Sequence, residues 1–257
     1  MAARIPADVP VASGFRFLAR LSRRPALYSL HLIYKGTRDL SDRPFTTPED
    51  VGAVVIDTND WRYTSFFRPD GGSRLRRFFE TNRLQVVDAA GDVVLLLRGG
   101  ENPVELYRTG DSAPETRRVV GYSGQVTFLG HDTFVSPVEV GGRLPVHTYW
   151  RRVAAVDREY AMQLLLFDAY GAAVLVHQRR IGYSFFPAHD WPYGTTVREV
   201  FRLVVPDNVK PGSYVLCLRV LEGGGNQFRA AAPDDPEVRR QRGIVRLGPV
   251  DVVRPRK

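Results

Sequence analysis

The spacing of apolar positions changes near residue 110, and the change predicts two domains of different architecture. Before it, strand-like and helix-like stretches alternate. A short apolar run at 9–12 is followed by Ser13, a residue type that caps helices, and then by Phe15, Leu18 and Leu21 on one helical face with Phe17 beside them. Pro25 stops that helix, because proline disfavours helical backbone in the residue before it. Over 27–33, Leu27, Ser29 and His31 alternate with Tyr28, Leu30 and Leu32, which predicts a strand. The run 51–57 is nearly unbroken in its apolarity, the mark of a strand covered on both faces. Ser73 is placed to cap a second helix over 74–81, with Leu75, Phe78 and Phe79 turned inward and Asn82 at its end. Stretches 84–88 and 92–98 form a predicted hairpin through Ala89-Ala90-Gly91. The order β-α-β-β-α-β-β reads as a small α/β sandwich over residues 1–110.

Residues 108–118 are polar and hold Gly and Pro, which suits a boundary. After it, strand signals recur at 125–129, 144–150, 161–168, 172–178, 198–205, 214–221 and 244–253, and one helix is expected over 236–242. Phe201, Leu203 and Val205 share a face, as do Tyr214, Leu216, Leu218 and Val220. Cys217 lies on the opposite face as a small buried hydrophobe. Pro211-Gly212 makes a tight turn into a strand, where Tyr214 can clamp the loop as a tyrosine corner does. The expected fold class is therefore α+β with two domains: the α/β sandwich, then an antiparallel, immunoglobulin-like β-sandwich over 111–257.

Charge adds a question of partners. The 257 residues carry 36 basic and 28 acidic side chains, and all the basic ones except Lys35, Lys210 and Lys257 are arginine. They fall in small groups along the whole chain, such as Arg117-Arg118, Arg151-Arg152 and Arg179-Arg180. Solvated faces are the first reading of these groups and a basic face near anionic phospholipid head groups the second. No helix reads as a recognition element, so no nucleic-acid partner is expected. A single cysteine excludes a disulfide framework and a cysteine zinc site. No apolar run reaches membrane-spanning length, and no secretory leader is evident.

Recognisable reaction motifs are absent. Gly121-Tyr122-Ser123-Gly124 is one residue short of a nucleophile elbow, and Gly223-Gly224-Gly225 reads as a hairpin loop. His131-Asp132 and His189-Asp190 are dipeptides whose side chains point to opposite faces if the backbone is extended. Asp57 stands at the end of the buried strand, where α/β sheets bind ligands. Asp60, Trp61 and Tyr63 follow with Phe66 and Phe67. Carboxylates beside aromatic faces suit sugar recognition, whereas the alternative has Asp57 and Asp60 capping a turn under interface aromatics. Tyr183, Phe185, Phe186, His189, Trp191 and Tyr193 form a second such group with the same two readings. The candidate ligand-binding residues are Asp57, Asp60, Trp61, Tyr63, His189, Asp190, Trp191 and Tyr193. No catalytic residue, metal or cofactor is expected.

Two stretches carry a resemblance. Trp191-Pro192-Tyr193-Gly194, the run 197–206 and Lys210-Pro211-Gly212-Ser213-Tyr214-Val215-Leu216 are similar to the W-x-x-G, strand, P, P-G-x-Y-x-L pattern of β-sandwich domains that end bacterial membrane glycosyltransferase-like proteins. Tyr149-Trp150, the hairpin 164–171 and the closing strand 245–253 fit the same pattern. Residues 5–12, 21–25, Tyr28 and 54–57 resemble the soluble tail of multi-spanning bacterial membrane proteins distantly related to lipid-phosphosugar glycosyltransferases such as the protein mannosyltransferases. In that family the catalytic acid lies between transmembrane helices, so none can be placed on this chain. The resemblance implies a non-catalytic accessory or binding module of an envelope glycosyltransferase-like system, contacting a glycan or a membrane partner. It would lie on the extracytoplasmic side, reached through a membrane protein partner or a membrane segment outside this sequence; a cytoplasmic protein is the alternative. A structural subunit that binds protein is the competing function, and an independent hydrolase or transferase the third.

Overall fold

The computed structural model describes residues 4–60, 70–224 and 227–255. The structure is mostly β, arranged in several sheets. It divides into two compact units: Met1–Glu105 with Tyr183–Pro187 and Gly224–Asn226, and the remainder from Leu106 onward.

In the first unit Val11–Ser13 (β1), Leu27–Ser29 (β2), Ala53–Asp57 (β3), Leu84–Ala90 (β4) and Val93–Arg98 (β5) form one sheet in the order β2-β1-β3-β5-β4. β1 runs parallel to β2 and β3, while β5 is antiparallel to β3 and β4. All of β3 is buried, as an apolar central strand requires. Ile5, Val11, Leu21, Ala53, Val55, Val87 and Leu95 make one core cluster, with Phe17 of the helix Phe15–Leu21 (α1) packed against it.

Three expectations fail here for local reasons. Ser13 does not cap α1: it ends β1, and its hydroxyl donates to the Val55 carbonyl at 3.0 Å. The run 27–33 is extended only as far as Ser29. It then turns into the helix Leu30–Lys35 (α2), which buries Leu30, His31, Ile33 and Tyr34. That i, i+1, i+3, i+4 set is a helical face that overlaps an alternating pattern. Gly36 closes the helix at φ +74°, its N–H donating to the Leu32 carbonyl at 2.8 Å. Finally, Gly71–Thr81 (α3) starts after Asp70 rather than at Ser73. Gly71 is needed there because a Cβ would stand 2.3 Å from the Tyr34 ring. At the far end Asn82 is buried with both side-chain atoms engaged. Its amide donates to the Pro48 and Phe78 carbonyls, and its oxygen accepts from Val51 N–H and Arg98, all at 3.0 Å.

The second unit packs two sheets face to face. The first contains Tyr107–Thr109 (β6), Thr116–Tyr122 (β7), Val126–His131 (β8), Arg143–Arg152 (β10) and Thr196–Val204 (β13), ordered β6-β13-β10-β8-β7. The second contains Val138–Glu139 (β9), Glu159–Phe167 (β11), Ala173–Arg180 (β12), Gly212–Gly224 (β14) and Ile244–Val253 (β16), ordered β12-β11-β14-β16-β9, with Gln227–Ala230 (β15) paired to β14. The polar stretch 108–118 is thus no free linker, since its two ends lie in β6 and β7. The expected helix over 236–242 is Pro236–Arg240 (α4), capped by the Asp235 carboxylate. Tyr214 donates its hydroxyl to the Lys210 carbonyl at 2.6 Å, the clamp anticipated for that turn.

Tyr122, Phe128, Trp150 and Phe201 fill the space between the sheets and are fully or almost fully buried. Among them lies an ion pair that spans the layers. Arg179 of β12 is 1% exposed, Glu199 of β13 is 0% exposed, and Arg179 NH1 lies 2.8 Å from Glu199 Oε1. The Gly182 N–H donates to the same carboxylate oxygen at 2.9 Å, and the Arg179 guanidinium sits 4.4 Å above the Phe201 ring. Arg180 is also largely buried and paired, with Glu159. The Arg179-Arg180 group is therefore interior, not a solvated face.

A buried ion pair is costly to break on one side only. Glu199→Gln is expected to lose about 3–5 kcal/mol of stability, whereas Arg179→Met combined with Glu199→Leu stays within about 1 kcal/mol of the parent. Denaturant unfolding followed by tryptophan fluorescence measures both.

Candidate functional site

Residues proposed from the sequence fall into separate surroundings. In the first unit Asp57 is buried and already engaged: Arg16 NH1 lies 2.5 Å from Oδ2, and the Asn59 N–H donates to Oδ1 at 3.1 Å. The Asp60 N–H donates to the Asp57 carbonyl at 3.1 Å, so both aspartates organise the turn that leaves β3. Trp61 and Tyr63 lie outside the described residues, as do Phe66 and Phe67. Tyr183, Phe185 and Phe186 are core residues of this unit. Phe185 meets Phe79 edge-on at 5.5 Å and stacks on Tyr183 at 5.7 Å.

In the second unit His189 and Asp190 form the short 3-10 turn Ala188–Asp190, with His189 Nε2 3.6 Å from Asp190 Oδ1. Trp191 is 1% exposed, so its ring faces the interior and offers no stacking platform. Its carbonyl and that of His189 accept from Arg152 NH1 at 3.2 and 2.7 Å. Tyr193 alone of this group is open to solvent, at 71% exposure.

Chain segments far apart in sequence build a different site at one end of the sandwich. A cleft of about 490 Å³ is lined by Asp157, Arg158, Glu222, Gly223, Gln227, Phe228 and Arg229. The β14–β15 hairpin supplies most of it. Gly223 lets the two strands close, because a Cβ there would stand 2.0 Å from the Gln227 carbonyl oxygen. Glu222 is buried and collects its partners from three directions. Ser123 donates its hydroxyl to Oε2, Arg158 NH1 lies 3.3 Å away, and Arg229 NH2 lies 3.5 Å from Oε1. Ser123 holds its place at φ +51°, in the turn between β7 and β8.

The network continues beyond Glu222. Arg158 Nε donates to Asp157 Oδ1 at 2.9 Å, Gln125 Nε2 donates to the same oxygen at 2.7 Å, and the Tyr160 hydroxyl donates to Gln125 Oε1 at 3.2 Å. The hydrogen bonds from Arg158 and Gln125 hold the Asp157 carboxyl down at about 2, and burial followed by the Glu222 charge pushes the Tyr160 phenol up to about 12. At neutral pH Asp157 is therefore a carboxylate and Tyr160 a neutral phenol, beside the guanidiniums of Arg158 and Arg229. Arg180 lies 5.2 Å from the centre of the Phe228 ring, which is itself part of the wall.

Sequence reasoning missed this site because its parts are scattered. The one local signal was the glycine run beside Glu222 and Phe228-Arg229, which marks where backbone and side chains approach closely.

A second polar cluster lies on the outer face of the β6-β13-β10-β8-β7 sheet. Asp132 Oδ2 lies 2.9 Å from His147 Nδ1, accepts from the Tyr149 hydroxyl at 3.0 Å, and lies 3.6 Å from Arg198 NH2. The dipeptide partner of Asp132 is turned away, since His131 is buried and its Nδ1 lies 2.9 Å from the Asp132 carbonyl. Among the described residues no group of three or more His, Cys, Asp or Glu side chains is placed to hold a metal ion.

No family model and no curated protein matches the chain. Among the solved structures that match is a family 123 glycoside hydrolase from Clostridium perfringens, reported for glycolipid glycan hydrolysis. It is similar to this chain over 59% of the chain and 28% of its own length, with 7% identity and a TM-score of 0.29. The chain spans little more than a quarter of that protein, and a likeness this slight carries no argument about chemistry.

Burial works to raise the Asp132 carboxyl, but the hydrogen bonds from His147, Tyr149 and the Glu115 backbone N–H outweigh it and hold the group below its ordinary value. A depressed carboxyl contributes stability that is fully present above the unfolded value, about 4, and is lost as the pH falls through the folded one. Asp132→Asn is therefore expected to lower stability at neutral pH by about 1–3 kcal/mol and to flatten the loss of stability below about pH 4. Thermal melts across that range measure it.

Proposed function

We propose that the chain is a non-catalytic binding module that holds a neutral glycan in the cleft around Glu222 and Phe228, as an accessory part of an envelope glycosyltransferase-like membrane system. What carries this reading is one arrangement: Asp157, Arg158, Glu222 and Arg229 line one cleft together with the Phe228 side chain. Neighbouring acceptors and donors match adjacent sugar hydroxyls, and an aromatic face matches the apolar side of a pyranose. Two negative and two positive charges cancel, which favours an uncharged ligand over an acidic one. The second unit is read as an immunoglobulin-like sandwich, supported by the Tyr214 clamp and the buried Trp150 between its sheets. The module works at the extracytoplasmic face of a bacterial membrane beside a membrane protein partner. This placement rests on the resemblance of the stretches around Trp191 and Tyr214.

A second reading, a structural subunit that binds protein, is favoured by β12. This is an edge strand with no charged residue over 173–178, and on it Val174 and Val176 are exposed, Val176 at 53%. Such an edge is a template for strand addition.

Titration calorimetry with mannobiose, cellobiose and chitobiose separates the two. Binding of at least one disaccharide, weakened about tenfold in Phe228→Ala, is expected from loss of an aromatic contact. Silence across all three, with a partner from native cells retained by the parent and lost in Val176→Lys, would establish the structural reading instead.

A further inference from the structure

We propose that the open edge of β12 pairs antiparallel with β12 of a second copy of this chain, so that one sheet runs through both copies. The inference is independent of the glycan cleft. It rests on the protein-binding reading of β12 and names its partner. Every other outer strand among the described residues is blunted in one of the ways that stop a sheet from growing. β2, β6 and β9 are two or three residues long. β15 has four residues, one of them Arg229. β4 is already covered: the Val104 N–H donates to the Val86 carbonyl at 2.7 Å, and Arg4 reaches the Val87 carbonyl at 3.4 Å. β7 carries Arg117 and Arg118, and Asp234 engages its edge. The Asp234 carboxylate accepts the Gly121 N–H at 2.7 Å, and the Asp234 N–H donates to the Gly121 carbonyl at 2.9 Å.

β12 has none of these protections. It is eight residues long, has β11 as its one neighbour among the described residues, and holds no Lys, Arg, Asp or Glu from Ala173 to Gln178. Side-chain direction follows from contacts across the interior. Arg179 reaches Glu199 and the His177 ring stacks on Phe201 at 5.1 Å, so Leu175 faces inward with them while Val174 and Val176 face out. Val174 is the extra residue where β12 bulges against β11, and the bulge leaves it on the solvent side. Tyr170, in the turn that leads into the strand, is almost fully exposed. Three of the eight large apolar side chains exposed among the described residues thus fall within seven positions of one hairpin.

The pattern of the strand points to a second copy as the occupant. A two-fold axis at Leu175 sets Val174 of each chain opposite Val176 of the other on the outer face, and Leu175 opposite its own equivalent on the inner face. Branched side chains pack well across strands, so the match of valine with valine is favourable. Such a pairing also opposes no like charges. That matters because the chain carries a net charge of +8 and repels itself elsewhere. Finally, the pairing closes. Each copy spends its open edge on the other, and the far edge of the same sheet, β9, is two residues with Glu139 as one of them, so growth stops at two chains.

Sedimentation velocity of the full chain over the micromolar range is the test, and a species of twice the mass of one chain is expected. Val176→Lys sets a lysine against Val174 of the other chain at two symmetric places and is expected to weaken the dimer at least about tenfold. Val176→Thr keeps the branched shape without a charge and retains most of the dimer. Val204→Lys, at an exposed valine on an inner strand of the other sheet, leaves it unchanged. Thermal melts check that each variant folds. A parent that stays monomeric throughout, or a dimer that Val176→Lys weakens no more than Val204→Lys does, would overturn self-pairing. A monomeric parent whose β12 holds a different protein from native cells would overturn it too, while leaving the protein-binding reading in place.

Discussion

The ion pair between Arg179 and Glu199 is the constraint on which the sandwich turns. Each residue comes from a different sheet, and both are out of contact with water. Burying either charge alone would cost several kcal/mol, so the fold is favoured only when both strands arrive in register. A shift of β13 by one residue would send Glu199 to the surface and bring Arg198 inside. The pair also fixes the backbone after β12, because the Glu199 carboxylate accepts the Gly182 N–H, and it seats the guanidinium on Phe201. Apolar residues of similar volume could supply as much stability, but they would specify register less sharply.

That register has a consequence on the other side of the sheet. If Glu199 must point inward, then Arg198 and Arg202 must point out, beside Arg143 and Arg151 of β10. The internal charge pair and the external basic face are one alternation seen from its two sides.

Much of the fold was legible because it is local and apolar. The run 51–57 could only be a central strand, and 244–253 alternates as a strand that packs on one side does. Tyr214 was legible as a clamp because Pro211-Gly212 fixes the turn beneath it. Residues 27–35 misled because one set of apolar positions satisfies two periods, and packing of Ile33 and Tyr34 in the first unit decides for the helix. Ser13 misled because a hydroxyl that can cap a helix can equally bond across a sheet. Trp191 carries two readings in the sequence, a ligand-contacting ring or a packed one, and its burial decides for packing. Its carbonyl, not its ring, proves to be the group that meets a cation.

The cleft was illegible for a different reason. Ser123, Gln125, Asp157, Tyr160 and Glu222 are ordinary residues in sequence, and they acquire meaning only when the sheets bring the β7–β8 turn, the start of β11 and the end of β14 together. Once there, they bond one another beside the cleft, with Asp157, Arg158 and Glu222 as the members that also line it. Preorganisation of this kind lowers the entropy lost on binding, because Glu222 and Arg158 are ordered already.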